Sequence, residues 1–271
     1  MKIAAAFLAL VAVAATLVGC GAQSVLDPVA AAAAKTQNAG GAKVSMRLTV
    51  DAPVVGSTVV TAEGAFDQQQ GELTLDLSDV LAKLPTQLPA GDGQIKTIYT
   101  NENGDPVVYV GASFLANALS GGKQWIRVDL AHAASAAGVD LSQILGQAGG
   151  NPTDVLAMLR ASGEVTTVGP DTVDGTAVTH YRATIDLDKA LSQKGIPHDA
   201  VQRLLDSGAP TTLPVDVWIG DDDGLVRQVE TSYSATTAAG TASAALSLKL
   251  SDWGTTVSVE TPPADQVFEA N

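Results

Sequence analysis

Apolar and polar side chains alternate with a period of two along most of the chain after residue 42. Val44, Met46, Leu48 and Val50 alternate with Lys43, Ser45, Arg47 and Thr49, the pattern of a strand buried on one face. Pro53 and Gly56 punctuate a turn into a second strand over 58–66. Gln68-Gln69-Gln70-Gly71 turns the chain into a third, where Leu73, Leu75 and Leu77 alternate with Thr74, Asp76 and Ser78. Residues 95–100 and 107–110 read as a hairpin around Asn101-Glu102-Asn103-Gly104-Asp105. Over 124–130, Ile126, Val128 and Leu130 share one face and Trp125, Arg127 and Asp129 the other. Strands return at 165–168 and 178–187 through the hairpin dipeptide Asp174-Gly175, with Tyr181, Ala183, Ile185 and Leu187 opposite His180, Arg182 and Thr184. Val215, Val217 and Ile219 give another face, and the turn 220–224 leads into 225–233. Leu246, Leu248 and Leu250 alternate again, and Val257 with Val259 closes the pattern before Pro262-Pro263.

Helical material is segregated from these strands. Asp27-Pro28 is a helix start, Asp27 as N-cap and Pro28 at the first position, and Gly40-Gly41 ends the Ala-rich run that follows. Residues 80–84 suit a short helix. In the middle, 131–147 and 153–160 lean helical, the second with Val155, Leu156 and Leu159 on one face. Two further pieces, 188–194 and 199–207, flank Gly195-Ile196-Pro197. About ten antiparallel strands with segregated helices define an α+β fold around a single large curved antiparallel sheet. A sheet of this size curls into an incomplete β-barrel, and its concave face needs covering by helices or by a ligand. The apolar positions expected on that face include Met46, Leu48, Leu75, Val128, Ile185, Val217 and Leu248. Each serves a packed core or a cavity lining equally well.

The N-terminus follows a different logic. Met1-Lys2 is a short positive start, and residues 3–18 carry no charge and are apolar apart from Thr16. Sixteen residues fall short of the roughly 20 that a membrane span requires and fit the core of an export signal. The run ends in Leu17-Val18-Gly19-Cys20, which resembles the lipobox of bacterial lipoproteins, and Cys20 is the one cysteine of the chain. Small residues before it let an extended backbone enter a signal-peptidase cleft, and the thiol is nucleophilic enough to take a lipid as a thioether. Two acyl chains, at about 0.8 kcal/mol per buried CH₂, give stable membrane residence where one does not. The expected organisation is a signal peptide over 1–19, a lipidated Cys20 with a tether to residue 26, and one domain over 27–271. The expected location is the extracytoplasmic face of the cell membrane, and the first partner is that membrane, through the anchor.

Composition narrows the function. The chain of 271 residues carries 29 acidic against 15 basic side chains, and removing residues 1–19 takes one lysine and no acid. That balance excludes nucleic acid as a partner, because phosphate binding needs clustered Lys and Arg. With Cys20 lipidated no thiol remains for a disulfide. The three histidines, His132, His180 and His198, form no i, i+4 pair, and a zinc site is not expected. Ser120-Gly121-Gly122-Lys123 matches a serine–lysine hydrolase by letters, but its glycines make a loop where that chemistry needs a helix start. Asp221-Asp222-Asp223 sits in a hairpin turn rather than over the roughly twelve residues of a calcium loop. No catalytic residue, cofactor or metal is expected.

Three stretches together carry a resemblance: the lipobox cysteine; Val173-Asp174-Gly175-Thr176-Ala177-Val178-Thr179-His180-Tyr181-Arg182-Ala183-Thr184-Ile185-Asp186-Leu187; and the strand–turn–strand Leu213-Pro214-Val215-Asp216-Val217-Trp218-Ile219-Gly220-Asp221-Asp222-Asp223-Gly224-Leu225-Val226-Arg227. With the N-terminal helix before the strands, their order resembles the actinobacterial LppX/LprG-type lipoproteins, relatives of the LolA/LolB lipoprotein carriers. The resemblance implies an incomplete barrel wrapped around helices, an apolar cavity between them for the acyl chains of a lipid or lipoglycan, and no catalytic residues. The residues alone leave a second reading open: a non-enzymatic structural lipoprotein with a filled core, binding an envelope protein.

Overall fold

A computed structural model of the protein describes residues 27–53, 56–83, 93–102, 104–113, 122–129, 156, 159, 162–193, 202, 210–237 and 240–270. Twelve strands among them form one sheet: β1 (Ala42–Ala52), β2 (Gly56–Phe66), β3 (Gly71–Asp76), β4 (Gln94–Glu102), β5 (Asp105–Ala112), β6 (Trp125–Asp129), β7 (Ser162–Val173), β8 (Thr176–Asp186), β9 (Thr212–Gly220), β10 (Val226–Thr237), β11 (Gly240–Ser251) and β12 (Val267–Ala270). Three helices accompany them: α1 (Pro28–Gln37), α2 (Ser78–Leu81) and α3 (Leu187–Gln193). The spatial order is β12-β6-β5-β4-β3-β2-β1-β11-β10-β9-β8-β7. Every pairing is antiparallel except β12 with β6, and the curved sheet does not close. The expected α+β architecture is therefore the observed one.

Local chemistry explains the turns. Asp174 and Gly175 have φ of 48° and 84°, the paired positive values that a two-residue turn needs to match strand twist. Asp27 caps α1, its Oδ1 accepting from the Val29 and Ala30 amides at 2.9 and 3.2 Å. In cross-strand register with Trp125, Gly111 leaves room for the indole: a Cβ there would lie 2.6 Å from the ring.

The main core lies on the concave, helix-covered face. Val29, Ala32 and Ala33 of α1 and Leu187 and Ala190 of α3 pack with Leu156 and Leu159 against Val44, Ala183, Ile185, Val215, Val217, Val226, Leu248 and Leu250. Leu156 and Leu159, expected on one helical face, are helical and fully buried. Thr36 ties α1 to the sheet by accepting from the Val226 amide at 2.9 Å. A smaller cluster of Ile98, Val107, Tyr109 and Val267, with Trp125 and Val259 packed against it, lies on the opposite face.

Three expectations need correction. The closing strand is β12, not Val257–Val259: there Val257 is buried and its carbonyl accepts from Gln70 Nε2 at 2.7 Å, so the alternation serves burial without a ladder. The short helix is Ser78–Leu81 rather than 80–84, because Asp76 Oδ1 accepts from the Ser78 amide and starts the turn earlier. Strand β4 runs on to Glu102 and β5 begins at Asp105, so the hairpin turn is shorter than the five residues expected. The expected helices at 131–147 and 199–207 lie outside the described residues, except for residue 202, which is helical.

Candidate functional site

Sheet register places all seven expected inward positions on one face. Val217, Val229, Leu248, Met46, Ala62, Leu75, Ile95 and Ala112 stand directly opposite one another across eight consecutive strands, β9 to β5. Leu48 lies in the next row, between Leu246 and Val60. Val128 stands opposite Val108, which stands next to Tyr99. Ile185 stands beside Leu213.

Burial is uneven along this face, and β1, β2 and β5 contribute buried Val44, Ala62, Phe66 and Ala112 to it. On the β8–β11 side Ile185, Val217 and Leu248 are at most 3% exposed and pack with α1 in the main core. On the β1–β6 side Met46, Leu48, Leu75 and Val128 are only half buried, with Val60, Ile95, Val110 and Ile126 in the same state. Met46 still touches the core; Leu48, Leu75 and Val128 do not belong to it. Here the face holds a recess of about 200 Å³, lined chiefly by Val44, Phe66, Gly71, Leu73, Thr97, Tyr99 and Val108. Typical ligand pockets hold roughly 300–1,000 Å³, so this recess suits a segment of an apolar chain rather than a whole lipid. Phe66, Leu73, Tyr99 and Val108 were not among the expected positions. The signal for Leu73 and Val108 is the period-two pattern that marks Leu75 and Val110.

The opposite face carries, beside its smaller apolar clusters, several ion pairs. Lys96 meets Glu72 at 2.9 Å, Lys249 meets Asp174 at 2.9 Å and Arg182 meets Asp216 at 3.0 Å. His180, expected on this face, stacks on Trp218 with centroids 4.3 Å apart and its Nε2 lies 2.7 Å from Asp216. Trp218 Nε1 donates to Asp171 at 2.9 Å, and this bond, with one from the Thr172 amide, holds the Asp171 carboxyl below its ordinary range. Arg127 spans three strands, bonding Glu102 of β4 at 2.9 Å and Glu269 of β12 at 3.3 Å. The Tyr109 hydroxyl donates to Glu102, and together with Arg127 it lowers the Glu102 pKa; the bond to Glu102 raises that of Arg127. These groups fasten strands to one another.

Among the described residues no group of three or more His, Cys, Asp or Glu side chains is placed to hold a metal ion. Among them, too, no helix is long and apolar enough to cross a membrane. Cys20, His132, His198 and Ser120 lie outside the described residues. What the concave face offers chemically is apolar surface, worth about 25 cal/mol for each Å² of ligand hydrocarbon removed from water.

No known family model matches the chain. It is 29% identical over 253 residues to an uncharacterized 31.2 kDa protein encoded in the rplA-rplJ intergenic region of Streptomyces griseus, covering 90% of this chain and 79% of that one. Among solved structures it is similar to the lipoprotein LppX of Mycobacterium tuberculosis, at 14% identity and a TM-score of 0.44, over 86% of this chain and 98% of that one. It is also similar to LprF of Mycobacterium bovis, at 17% identity and a TM-score of 0.47, over 87% and 95%.

Proposed function

We propose that the protein is an extracytoplasmic lipoprotein, anchored through Cys20 and tethered by residues 20–26, whose domain over 27–271 binds acyl chains of a lipid or lipoglycan on its concave face. The observation that carries this reading is the contrast across one continuous apolar face. The main core packs with α1, and at its margin, bounded by Val44 and Phe66, lies an apolar recess with half-buried Leu75 and Val128 in the rows next to it. An acyl chain in the recess would bury the remaining exposed part of these aliphatic side chains and gain stability in doing so. Binding requires no covalent step.

Native mass spectrometry of the protein as purified from its host membrane tests the proposal. The expected spectrum shows the anchored polypeptide plus the mass of a bound acyl lipid, released by organic extraction. The anchored polypeptide alone, with no uptake of a fluorescent acyl probe after extraction, contradicts it. The packing of Ile185, Val217 and Leu248 favours the second reading, a filled-core interaction module. That reading predicts the latter spectrum together with a stable protein partner.

A further inference from the structure

The recess at the margin of the core is mostly apolar, and its few polar groups are of two kinds. The first are hydroxyls. Thr97 and Tyr99, two residues apart on β4, both line it. Alternate residues of a strand share a face and stand about 7 Å apart, so both side chains border one short stretch of any chain lying in the recess. Tyr99 stands opposite Gly71 on β3 and Val108 on β5, and Thr97 opposite Leu73 and Val110. None of these neighbours has a side chain that can hydrogen-bond. Among the described residues neither hydroxyl has a hydrogen-bond partner.

The second kind are carboxylates, at the end of the recess near the turn between β2 and β3, where the lining includes Asp67 and Glu72. Asp67 Oδ1 accepts from the Gln69 and Gln70 amides at 2.8 and 2.9 Å, which builds this carboxylate into the turn. Glu72 holds Lys96 at 2.9 Å on the outer face. Among the described residues, those that line the recess include these two acids and no Lys, Arg or His. The recess therefore offers hydroxyl donors and an acidic end, without a counter-ion for an anion. A free fatty acid would bring a third carboxylate out of water into this place, and burying a charge beside like charges is costly. An ester carries the same hydrocarbon with an uncharged carbonyl, which a hydroxyl can meet with one hydrogen bond.

This inference rests on the acyl-binding reading and narrows the class of ligand. We propose that the recess selects acyl chains in ester linkage over free fatty acids, with Tyr99 and Thr97 donating to the ester carbonyl and Asp67 and Glu72 turning carboxylates away. Selection of this kind combines an attraction for one ligand with a repulsion of its competitor.

The test uses the full-length lipidated protein, stripped of bound lipid and held in amphipol, in equilibrium dialysis at neutral pH. Radiolabelled decanoate and methyl decanoate, which share one hydrocarbon chain, are the probes. The ester should bind at least about tenfold more tightly. The ester is also the more apolar probe, so two sets of variants carry the decision. Asp67→Asn combined with Glu72→Gln keeps both shapes and the acceptor of the turn, and should narrow the gap between the probes by about fivefold. Tyr99→Phe and Thr97→Val each remove only a hydrogen-bonding hydroxyl, and each should weaken the ester by about fivefold. Equal affinities in the wild type, or an unchanged gap in the Asp67→Asn, Glu72→Gln protein, overturns the selection while leaving acyl binding intact. Wild-type ester affinity in both Tyr99→Phe and Thr97→Val overturns the part given to the hydroxyls. A wild type that binds neither probe overturns the acyl-binding reading and the selection with it.

Discussion

Asp27 shows how much one side chain can decide. Its carboxylate satisfies two otherwise unpaired amides at the start of α1, and α1 buries Val29, Ala32 and Ala33 in the main core. Replacing it with alanine should cost about 1 kcal/mol in urea denaturation, with an unchanged urea dependence because the folded area is preserved. Glu102 makes a pH-dependent contribution. Bonds from Tyr109 and Arg127 hold its folded pKa below the unfolded value, so the unfolded chain takes up the proton first. The stabilisation is complete above the unfolded value and disappears as pH falls through the lowered one. Between pH about 5 and about 3 the wild type should lose more stability than Glu102→Gln, measured as urea midpoints across that range. Equal losses would show that the bond contributes nothing to the fold.

At the scale of elements, strands announced themselves because each buries one face. Alternation at Val44–Val50, Leu73–Leu75 and Leu246–Leu250 carries over directly into β1, β3 and β11. Alternation reports burial, though, not pairing. It marks Val257 and Val259, which are covered without a ladder, and says nothing of β12, four residues whose place depends on Lys123 and Arg127 far back in the chain. Nor does it separate a filled face from an open one: Leu75 and Leu248 look alike in sequence, and only packing with α1 distinguishes them. That difference makes a prediction. Leu248→Ala should destabilise by about 2–5 kcal/mol, through lost burial and a cavity, with little effect on acyl-probe affinity. Leu75→Ala should cost clearly less stability and weaken the probe, as read by urea denaturation and fluorescence titration of the two variants side by side. Loss of affinity only in Leu248→Ala would place the ligand on the wrong half.

For the whole molecule, the ion pairs of the outer face, the fastened edge at β12 and the core under α1 hold one curved sheet with an apolar recess at the margin of its core. The overall architecture was readable from sequence, since strand count, hairpin turns and segregated helices all point to one curled sheet. The site was readable only as a face; how burial varies along it depends on where α1 packs, through Val29, Ala32 and Ala33 in the core and the Thr36 hydroxyl that accepts from the Val226 amide. The most direct measurement binds an acyl chain carrying a nitroxide to methyl-labelled protein and records relaxation of each methyl by NMR. The account predicts strong broadening at Leu48, Leu75 and Val128, with Ile185, Val217 and Leu248 left sharp. Uniformly sharp methyls, or broadening confined to the α1 side, would contradict it.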